Sequence, residues 1–461
     1  MSKLVEYVVL EQILKHFQEN NLLHPNHHGF LPSFSTLTAL LQVYDMWLSA
    51  AEKKELNASL FLDLSSAFDV IDHLILFQKL QPYGLGNRSM LFFESYLKNR
   101  FQRVQEQTKL STSRPVGDQG VPQGSILGPI LFIIYMNDFP EHSDIGQDVL
   151  YADDDSGQVS AKDPDELVRK LQIFADSSVN WIQDNKMVCS AQKTKLLVSS
   201  TKELRESKLL GGNISILVGG QIISESPQEK LLGITMSNDL SWNSCLYGCK
   251  EAGGNTISLV SQLSKRVGMI KSLSKYIDGT QLNSIINGLF TSKLLYCLPL
   301  FSNVWGMLDM DVTNRRYSAF TKEDLRRLQV LQNRILRIKC KNHDMNTPTL
   351  ELLKSCQDLS VQQLSAFHTV LNVFKIIHSR QPKYLAESLK LSRPEEENIF
   401  PQRQANKILV KRNLTLSRSG FLYRGAQLWN LLPLELRTCS DLNTFRRELR
   451  NWVIQVVPAK P

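Results

Sequence analysis

Two adjacent carboxylates at the end of an apolar run constrain this chain more than any other feature. Asp153 and Asp154 follow the stretch Val149–Ala152, and Asp155 extends the acidic run. Adjacent like charges resist burial, so such a pair persists at a strand end only where water, hydrogen-bond donors or a cation satisfies it. The run therefore predicts a strand that ends at a divalent-metal site, although an Asp-rich turn between two strands fits the same residues.

A second apolar run also ends at a carboxylate. Residues Ser59–Leu62 precede Asp63, which is expected at the end of its strand because burying an unpaired carboxylate is costly. The alternative is that Asp63 or Ser65 simply caps a helix that begins at Ser66. If neighbouring strands bring Asp63 and Asp153 together, two metal ions about 3.5–4 Å apart can clamp both oxygens of a phosphoryl displacement.

A loop rich in glycine and proline, Gln119–Pro129, lies between these two segments. Glycine lets the backbone approach a base or a phosphate closely. A helix that begins near Ser125 would also direct its amide dipoles at an anion. The loop alone is weak grounds for a function.

Taken together and in this order, the three segments resemble motifs A, B and C of reverse transcriptases, especially the jockey-like class of non-LTR retrotransposons. The motifs are Phe61–Asp69, Gly120–Pro129 and Tyr151–Asp154. Weaker similarity continues through His27–Phe30, Asn185–Lys186, Lys193–Thr194, Leu231–Thr235, Leu331–Asn333 and Tyr423–Pro433. The resemblance implies an α+β right-hand polymerase fold, with an antiparallel palm sheet covered by helices, a helical thumb and a basic C-terminal region.

The resemblance also implies an RNA-directed DNA polymerase that adds deoxynucleotides to a primer 3′-hydroxyl. Its partners would be an RNA template, a DNA primer and deoxynucleoside triphosphates, and its cofactors two Mg²⁺ ions, with Mn²⁺ as a substitute. Asp63 and Asp153 would ligate the ions, and Asp154 would complete the metal site beside the primer terminus. Lys193 resembles the lysine that protonates departing pyrophosphate, although a solvated lysine in a basic stretch explains it equally well.

Further site residues follow from the same resemblance. The implied nucleotide-binding residues are Phe68, Gln123, Gly124 and Tyr151, and the implied primer grip is Leu232 and Gly233. Phe68 stands where the family places an aromatic gate against the 2′-hydroxyl of an incoming nucleotide. Phenylalanine is also among the residues most often buried, so a core position is the alternative.

The chain departs from the family pattern in the fingers. The family usually carries Gly-Phe-Arg-Pro-Gly-Arg-Ser-Thr, and here Leu31 and Phe34 replace the two arginines. A guanidinium grips a triphosphate bidentately, and neither replacement can do so. Asp155 replaces a Thr or Ser, and Ser190 replaces an Asn. These departures favour a second hypothesis, a catalytically impaired retrotransposon-derived relic that binds nucleic acid without polymerising.

Four regions are predicted along the chain: partial fingers at 1–58, palm at 59–236, helical thumb or connection at 237–340, and a helical and basic region at 341–461. The first helix, Leu4–Phe17, ordinarily follows the first fingers strands, so these strands and the upstream endonuclease are expected to be missing. The last region is basic, since residues 402–450 carry ten Lys or Arg against three acidic residues. Such a surface can hold a polynucleotide backbone, or it can be a solvated basic face.

Other features indicate which classes of site to exclude. Seven cysteines without a secretory-type leader predict free thiols in a reducing compartment, and the resemblance alone suggests the nucleus. Cys245 and Cys249 lack a second ligand pair, so no zinc site is predicted. The longest apolar run, Ile126–Met136, is too short to span a bilayer, so no membrane partner is expected. Protein partners stay unknown.

The local patterns predict a series of elements. Within the palm these are strand 59–64, helices 66–81 and 88–99, hairpin 101–116, helix 124–139, a hairpin centred on Asp153, helix Pro164–Asn185, strand 194–199 and a turn at 229–236. Farther along, Leu328, Leu331, Ile335 and Ile338 recur at helical spacing, with arginines between them. This pattern predicts a thumb helix with an apolar inner face.

Overall fold

A computed structural model of the chain describes residues 2–209, 212–248, 258–277, 279–301, 320–391, 406–409 and 420–459. The chain forms two compact units. The first consists of Met1–Ala39, Leu56–Val198 and Glu206–Ser226, and the second of Leu40–Glu55, Ser199–Arg205 and Pro227–Pro461. The division into fingers, palm, thumb and C-terminal region stays a prediction.

The described strands and α-helices have the following bounds. The strands are β1 (Leu56–Asp63), β2 (Phe101–Gln102), β3 (Gln105–Glu106), β4 (Lys109–Leu110), β5 (Arg114–Pro115), β6 (Gln147–Tyr151), β7 (Asp154–Ala161), β8 (Lys195–Ser199), β9 (Ser215–Val218), β10 (Gln221–Ser224), β11 (Gln228–Leu231) and β12 (Ile234–Ser237). The helices are α1 (Ser2–Glu19), α2 (Thr36–Glu52), α3 (His73–Leu80), α4 (Asn87–Leu97), α5 (Gly128–Tyr135), α6 (Pro164–Asp184), α7 (Lys202–Leu209), α8 (Asn243–Tyr247), α9 (Leu259–Leu273), α10 (Gly279–Ile286), α11 (Ser292–Leu295), α12 (Leu298–Phe301), α13 (Lys322–Lys339), α14 (Thr349–Cys356), α15 (Val361–Ser379), α16 (Lys383–Ser388), α17 (Phe421–Asn430), α18 (Leu434–Arg437) and α19 (Leu442–Val456).

The first unit is built around a four-stranded sheet with the strand order β6–β7–β1–β8. Strand β1 pairs antiparallel with β7 along its whole length, from Leu56 opposite Ala161 to Asp63 opposite Asp154. Strands β6 and β7 form an antiparallel hairpin. The predicted combination of helices with strands is confirmed, and the pairs that carry the acidic residues are antiparallel, as predicted.

Helix α6 packs against β1 and β7 and covers one face of this sheet. It begins at the predicted residue because the Asp163 side chain accepts hydrogen bonds from the amides of Asp165 and Glu166, which have no partner within the helix. The residues that α6 buries recur at helical spacing and are Leu167, Leu171, Phe174, Ala175, Ser178 and Ile182. The sheet and its covering helix therefore form one hydrophobic core.

Two predicted helices are shorter than expected. The helix predicted over 66–81 begins only at His73, where Asp72 accepts from the amides of Leu74 and Ile75. Ser66 has a positive φ of 53°, and the backbone that follows it forms a turn. The alternative that Asp63 or Ser65 caps this helix is therefore wrong.

The helix predicted over 124–139 spans only Gly128–Tyr135. Its expected first turn is a loop, because Gly124 has a positive φ of 76° and cannot continue a right-handed helix. At the other end, Phe139–Glu141 forms a short 3₁₀ turn instead of more α-helix. All eight residues of the helix are apolar, glycine, proline or aromatic, and seven of them are buried.

The thumb helix predicted from the spacing of Leu328, Leu331 and Ile335 is present as α13 in the second unit. A capping box fixes its start, because Thr321 and Asp324 bond each other's backbone amides. The arginines are less available than the sequence suggested. Arg326 and Arg327 both pair with Glu323, and Arg337 donates to the carbonyl oxygens of Asp344 and Met345.

Two predictions about the C-terminal half need correction. Cys340 and Cys356 form a disulfide between the ends of α13 and α14, where their Cα atoms lie 6.3 Å apart, so the prediction of free thiols is wrong for this pair. Of the two cysteines weighed as zinc ligands, Cys245 is buried with a free thiol and Cys249 lies outside the described residues. Sequence spacing alone could not show that two helix ends meet.

The basic C-terminal surface is also smaller than predicted. Arg424 is buried and donates to the carbonyl oxygens of Pro299 and Leu300, and burial lowers its pKa to about 10. Arg437 is buried as well and donates to the carbonyl oxygen of Leu432. These two cations serve the packing of the second unit and cannot reach a polynucleotide. Four more of the ten cations, Arg403, Lys411, Arg412 and Arg418, lie outside the described residues.

Among the residues that the structure describes, one helical stretch, Gly279–Phe301, is long and apolar enough to cross a membrane by length and composition alone. Core helices of soluble proteins pass the same test, so this is weak grounds for a membrane span. Leu282, Ile286, Phe290 and Leu294 from this stretch are buried inside the protein. The absence of a membrane anchor stays a prediction.

Candidate active site

The predicted carboxylates meet at the end of the sheet in the first unit. Asp63 ends β1 and lies directly opposite Asp154, the first residue of β7. Residues directly opposite each other in an antiparallel pair project from the same face of the sheet. Asp153 occupies the two-residue turn between β6 and β7, next to Ala152, which has a positive φ of 57°. Two separate elements therefore contribute acidic groups to one place.

The acidic groups at this end of the sheet repel one another. Burial and the charges of Asp153 and Asp63 raise the pKa of Asp154. A bound cation would relieve this repulsion. Lys193 already supplies one positive charge, since its Nζ lies 3.2 Å from Oδ1 of Asp63. The pair is solvent-exposed, with 66% of the Lys193 side chain and 40% of the Asp63 side chain accessible.

The donors at this site suit Mg²⁺, which prefers oxygen ligands. Within the described ranges, no group of three or more His, Cys, Asp or Glu residues is already arranged to hold a metal ion. Mg²⁺ is usually held by one or two carboxylates together with substrate phosphates and water, and not by a complete protein cage. Asp63, Asp153 and Asp154 therefore fit a metal that is completed by its substrate.

The third acidic residue of the run faces the other way. Asp155 follows Asp154 in β7, so the alternation along a strand puts its side chain on the opposite face, where it is buried. There it adjoins Asp148, and burial together with the charge of Asp148 raises the pKa of Asp155 well above its ordinary value. Asp155 therefore belongs to the core and is not a fourth acidic group of the site.

A buried histidine supports this part of the core. Nδ1 of His142 lies 3.3 Å from Oδ2 of Asp148 and 2.9 Å from the carbonyl oxygen of Phe139. Nε2 lies 2.7 Å from Oγ of Ser178, whose own hydroxyl donates to the carbonyl oxygen of Phe174. Both ring nitrogens thus face acceptors, which favours the doubly protonated imidazolium. Serine, histidine and aspartate are all buried here, so this trio is structural.

The glycine-rich loop is held against the segment that follows β1. The amide of Val121 donates to the carbonyl oxygen of Phe68, and Nε2 of Gln123 donates to Oδ1 of Asp69 over 2.8 Å. Gly124 has a positive φ, and a side-chain carbon added there would meet open space. The loop therefore presents Gln123 and Gly124 at its exposed part, next to the segment that begins at Asp63.

The predicted anion site at the start of α5 is already filled. Oε2 of Glu6 accepts hydrogen bonds from the amides of Ile126 over 2.8 Å and of Leu127 over 3.3 Å. The helix dipole therefore faces a carboxylate of the protein itself. The prediction of an anion at this position is confirmed, and the anion is a carboxylate of the chain itself.

Phe68 is half-buried, and its role as a gate stays a prediction. Its ring stacks on the buried Phe132 with centroids 4.5 Å apart. Its ring also makes a T-shaped contact with Phe30, a residue that is 53% exposed, with centroids 6.2 Å apart. Phe68 is therefore packed against the core by one face of its ring and remains partly accessible.

The His-Gly-Phe loop supports the turn that carries Asp153. The amide of His28 donates to the carbonyl oxygen of Leu150, and the amide of Leu150 donates to the carbonyl oxygen of Asn26. A side-chain carbon at Gly29 would lie 2.4 Å from the backbone nitrogen of Ala152. Only glycine permits this close approach. No local pattern indicates this structural role of the loop, because its partner lies more than 100 residues away along the chain.

The residues that replace the family's arginines point inward. Leu31 is buried in the core of the first unit, and Phe34 packs against the same core. The ring of Phe34 also contacts His28 edge-on, with centroids 5.3 Å apart. No cation replaces the lost guanidinium groups at these two positions.

The segment that carries Lys193 is fixed to the end of β1. The amide of Ser190 donates to the carbonyl oxygen of Asp63, and the Lys186 ammonium lies 2.7 Å from Oδ2 of Asp72. Burial alone would raise the pKa of Asp72, but the hydrogen bond and charge of Lys186, together with two helix amides, outweigh it and lower the pKa. These contacts hold Lys193 at the acidic end of the sheet.

The remaining predicted residues are placed as follows. Tyr151 ends β6, half-buried, opposite Asp154. Leu232 and Gly233 form the turn between β11 and β12 in the second unit, with positive φ values of 45° and 81°. The Tyr296 hydroxyl donates to the carbonyl oxygen of Leu232 over 2.6 Å and steadies this turn.

Comparison with known proteins identifies the class of this site. The sequence profile of "Reverse transcriptase (RNA-dependent DNA polymerase)" matches residues 1–236, just over half of the chain. The chain belongs to the reverse transcriptase family. Membership supports the right-hand polymerase fold predicted from the motifs, and the matched range contains the carboxylates, the glycine-rich loop, Lys193 and the primer-grip turn.

Relatives of this chain include proteins of Drosophila melanogaster transposons. It is 25% identical over 344 residues to the RNA-directed DNA polymerase from mobile element jockey, a match that covers 73% of this chain and 34% of that protein. It is 24% identical over 432 residues to the probable RNA-directed DNA polymerase from transposon X-element, with 91% and 42% covered. The chain thus spans less than half the length of these relatives. The jockey-like resemblance seen in the motifs is confirmed.

Among solved structures, the chain is similar to telomerase from Candida tropicalis in complex with the TWJ fragment of telomeric RNA. The sequences are 12% identical, the TM-score is 0.39, and the match covers 83% of this chain and 56% of that one.

Proposed function

We propose that this chain is an RNA-directed DNA polymerase that extends a DNA primer on an RNA template with deoxynucleoside triphosphates. The observation that carries the proposal is the meeting of Asp63 and Asp154 on opposed strands, with Asp153 in the adjoining turn. Two-metal phosphoryl transfer needs carboxylates from separate elements. Membership of the reverse transcriptase family and the printed names of its relatives support the same reaction.

Each acidic residue has its own part in this proposal. Asp63 and Asp153 would hold two divalent cations, Mg²⁺ or Mn²⁺, and Asp154 would maintain the negative potential beside the primer terminus. When bound, the ions supply Lewis-acid activation of the primer 3′-hydroxyl and neutralise charge on the phosphates. Lys193 would donate a proton to the departing pyrophosphate, and its ion pair with Asp63 keeps the ammonium at the site.

Other residues would position the substrates. Phe68 would act as the gate against a 2′-hydroxyl, since core packing fixes its ring while one part stays accessible. Gln123, Gly124 and Tyr151 would complete the nucleotide site. Leu232 and Gly233 would form the primer grip. We also propose a nuclear location, solely because the family primes synthesis on chromosomal DNA.

A second candidate function is a relic that binds nucleic acid without polymerising. One observation favours it: Leu31 and Phe34 pack into the core where the family carries arginines, so neither position offers a cation to a triphosphate. The loss of such charge-assisted contacts weakens nucleotide binding without altering the carboxylates. The two candidates therefore differ in substrate delivery.

Primer extension on an RNA template by the purified chain, with Mg²⁺ and then Mn²⁺, separates these candidates. The test variant is Asp153→Ala combined with Asp154→Ala, and the control is Asp144→Ala, which removes an exposed carboxylate from the loop before β6. The polymerase proposal expects incorporation by the wild type and the control but not by the double variant. Equal background incorporation by all three proteins, together with salt-sensitive retardation of RNA, would establish the relic instead.

A further inference from the structure

A carboxylate from the first helix is buried against the glycine-rich loop. Oε2 of Glu6 accepts hydrogen bonds from the amides of Ile126 and Leu127 and from the Tyr96 hydroxyl, over 2.8, 3.3 and 3.0 Å. Glu6 is only 7% exposed. One buried oxygen therefore joins α1, α4 and the loop, although Glu6 and Ile126 are 120 residues apart in the sequence.

These contacts satisfy the start of α5, where backbone amides have no partner within the helix. The Leu127 side chain cannot cap the helix, and the structure shows no side-chain hydrogen bond from it. Oε2 of Glu6 accepts hydrogen bonds from the amides of Ile126 and Leu127, just before the first turn. Oγ of Ser125 accepts a hydrogen bond from the amide of Gly128 over 2.9 Å. A negative charge at this end of a helix is also favoured by the helix dipole.

The other end of the loop is attached to a different element. The amides of Gly120 and Val121 donate to the carbonyl oxygens of Ile71 and Phe68, both of which follow β1. Gly124 lies between the two anchored ends, with open space where a side chain would project. Glu6 thus anchors the α5 side of a segment whose middle, Gln123 and Gly124, is exposed.

We propose that Glu6 is a positioning residue for nucleotide binding: it fixes residues 120–127 so that Gln123 and Gly124 meet the templating pair and the incoming nucleotide. This inference rests on the proposed polymerase function. The same carboxylate closes the start of α5 to a substrate phosphate, so the triphosphate binds through other groups. Glu6 acts only through the loop and does not touch the substrate.

Hydrogen–deuterium exchange on the full chain tests the anchor without any need for activity. Glu6→Ala removes the acceptor, whereas Glu6→Gln keeps one acceptor oxygen and removes the charge. Glu11→Ala is the matched control, since Glu11 is an exposed acid on the same helix. We expect the amides of Ile126 and Leu127 to exchange about tenfold faster in Glu6→Ala and at the wild-type rate in Glu11→Ala, with Glu6→Gln between them.

Steady-state kinetics test the consequence for the substrate. With dTTP on a poly(rA)–oligo(dT) template–primer, we expect Glu6→Ala to raise KM for dTTP about tenfold and to change kcat less, because the misplaced loop weakens nucleotide binding. Glu6→Gln should restore part of the loss, and Glu11→Ala should match the wild type. A general loss of stability would instead lower the amount of active enzyme and leave KM unchanged.

The two measurements separate the failure of this inference from that of the proposed function. If the wild type incorporates no nucleotide, the polymerase proposal fails, and the exchange rates still decide whether Glu6 holds the loop. Unchanged exchange at Ile126 and Leu127 in Glu6→Ala overturns the anchor, and unchanged KM in an active Glu6→Ala enzyme overturns its role in binding.

Should Glu6→Ala not fold, Tyr96→Phe removes only the hydroxyl that orients Oε2, and about threefold faster exchange at the two amides is expected. No change in that variant also overturns the anchor.

Discussion

Nζ of Lys193 lies 3.2 Å from Oδ1 of Asp63, although 130 residues separate them in the sequence. The pair joins the proposed general acid to the proposed metal ligand. Its exposure means that solvent screens the interaction, so the pair adds little to stability. The ion pair places the Lys193 ammonium beside the end of β1, where the leaving pyrophosphate is expected.

Replacement of Lys193 by methionine tests this assignment. We expect Lys193→Met to lower kcat roughly 100-fold, because a general acid typically contributes this much or more. The Mg²⁺ concentration needed for half-maximal rate should fall, since the ammonium no longer repels the metal ion. Single-turnover primer extension over a range of Mg²⁺ concentrations measures both. Lys195→Met, which removes an exposed lysine two residues away, is the control, and equal rates for the two variants would contradict the assignment.

The contact between Gly29 and Ala152 gives a prediction about stability. A methyl group at Gly29 would lie 2.4 Å from the Ala152 nitrogen, which is backbone and cannot turn aside as a side chain can. We expect Gly29→Ala to lower the free energy of unfolding by about 2 kcal/mol and to displace the turn that carries Asp153. Urea unfolding followed by circular dichroism measures the loss. Gly117→Ala has open space around the added methyl group and should leave stability unchanged.

The primer-grip turn gives a third prediction. Leu232 adopts a left-handed φ, which is unfavourable for a leucine, and the Tyr296 hydroxyl bonds its carbonyl oxygen over 2.6 Å. We expect Tyr296→Phe to lower the free energy of unfolding by about 1 kcal/mol and to shorten the products of each primer-binding event. The length of the products is measured under single-turnover conditions, with a trap that captures enzyme after it leaves the primer. Tyr276→Phe is the control, because Tyr276 is highly exposed, and equal product lengths in both variants would exclude a role for Tyr296.

The sequence predicted the carboxylate site because its signals are local. An apolar run that ends at Asp63 and another that ends at Asp153 each indicate a strand end. The alternation of side chains along a strand also separates Asp155 from Asp154, so the inward position of Asp155 follows from the same pattern once β7 is known to begin at Asp154.

Long-range partners were beyond sequence reasoning. A helix N-terminus at α5 predicts an anion, but nothing near Ile126 indicates whether that anion is a ligand or a carboxylate from α1. Likewise, the charge count predicts that Arg424 in the C-terminal motif is a surface cation. Its guanidinium instead donates hydrogen bonds to the carbonyl oxygens of Pro299 and Leu300 and is part of the core. Charge counts cannot distinguish these cases, because burial is set by packing between distant segments.

The buried pair of His142 and Asp148 makes stability depend on pH. Burial alone lowers the pKa of His142, but the hydrogen bond and charge of Asp148 outweigh it and raise the pKa above its ordinary 6.5. The pair therefore contributes stability that is fully present below about pH 6.5 and is lost as pH rises through the raised pKa. Burial also raises the pKa of Asp148, which adjoins Asp155, so deprotonation of the cluster is disfavoured in the folded state.

His142→Gln tests this linkage. The glutamine amide can still donate to Asp148 or Ser178, but it carries no titrating proton. We expect the free energy of unfolding of the wild type to fall as the pH rises above 6.5. The variant should lose this part of the pH dependence, because its folded and unfolded states bind equal numbers of protons at position 142. Urea unfolding across this pH range measures the two slopes. His343→Gln replaces an exposed histidine and should keep the wild-type slope. If His142→Gln keeps that slope as well, His142 is not the source of this pH dependence, because a neutral side chain at position 142 cannot take up the proton that the linkage requires.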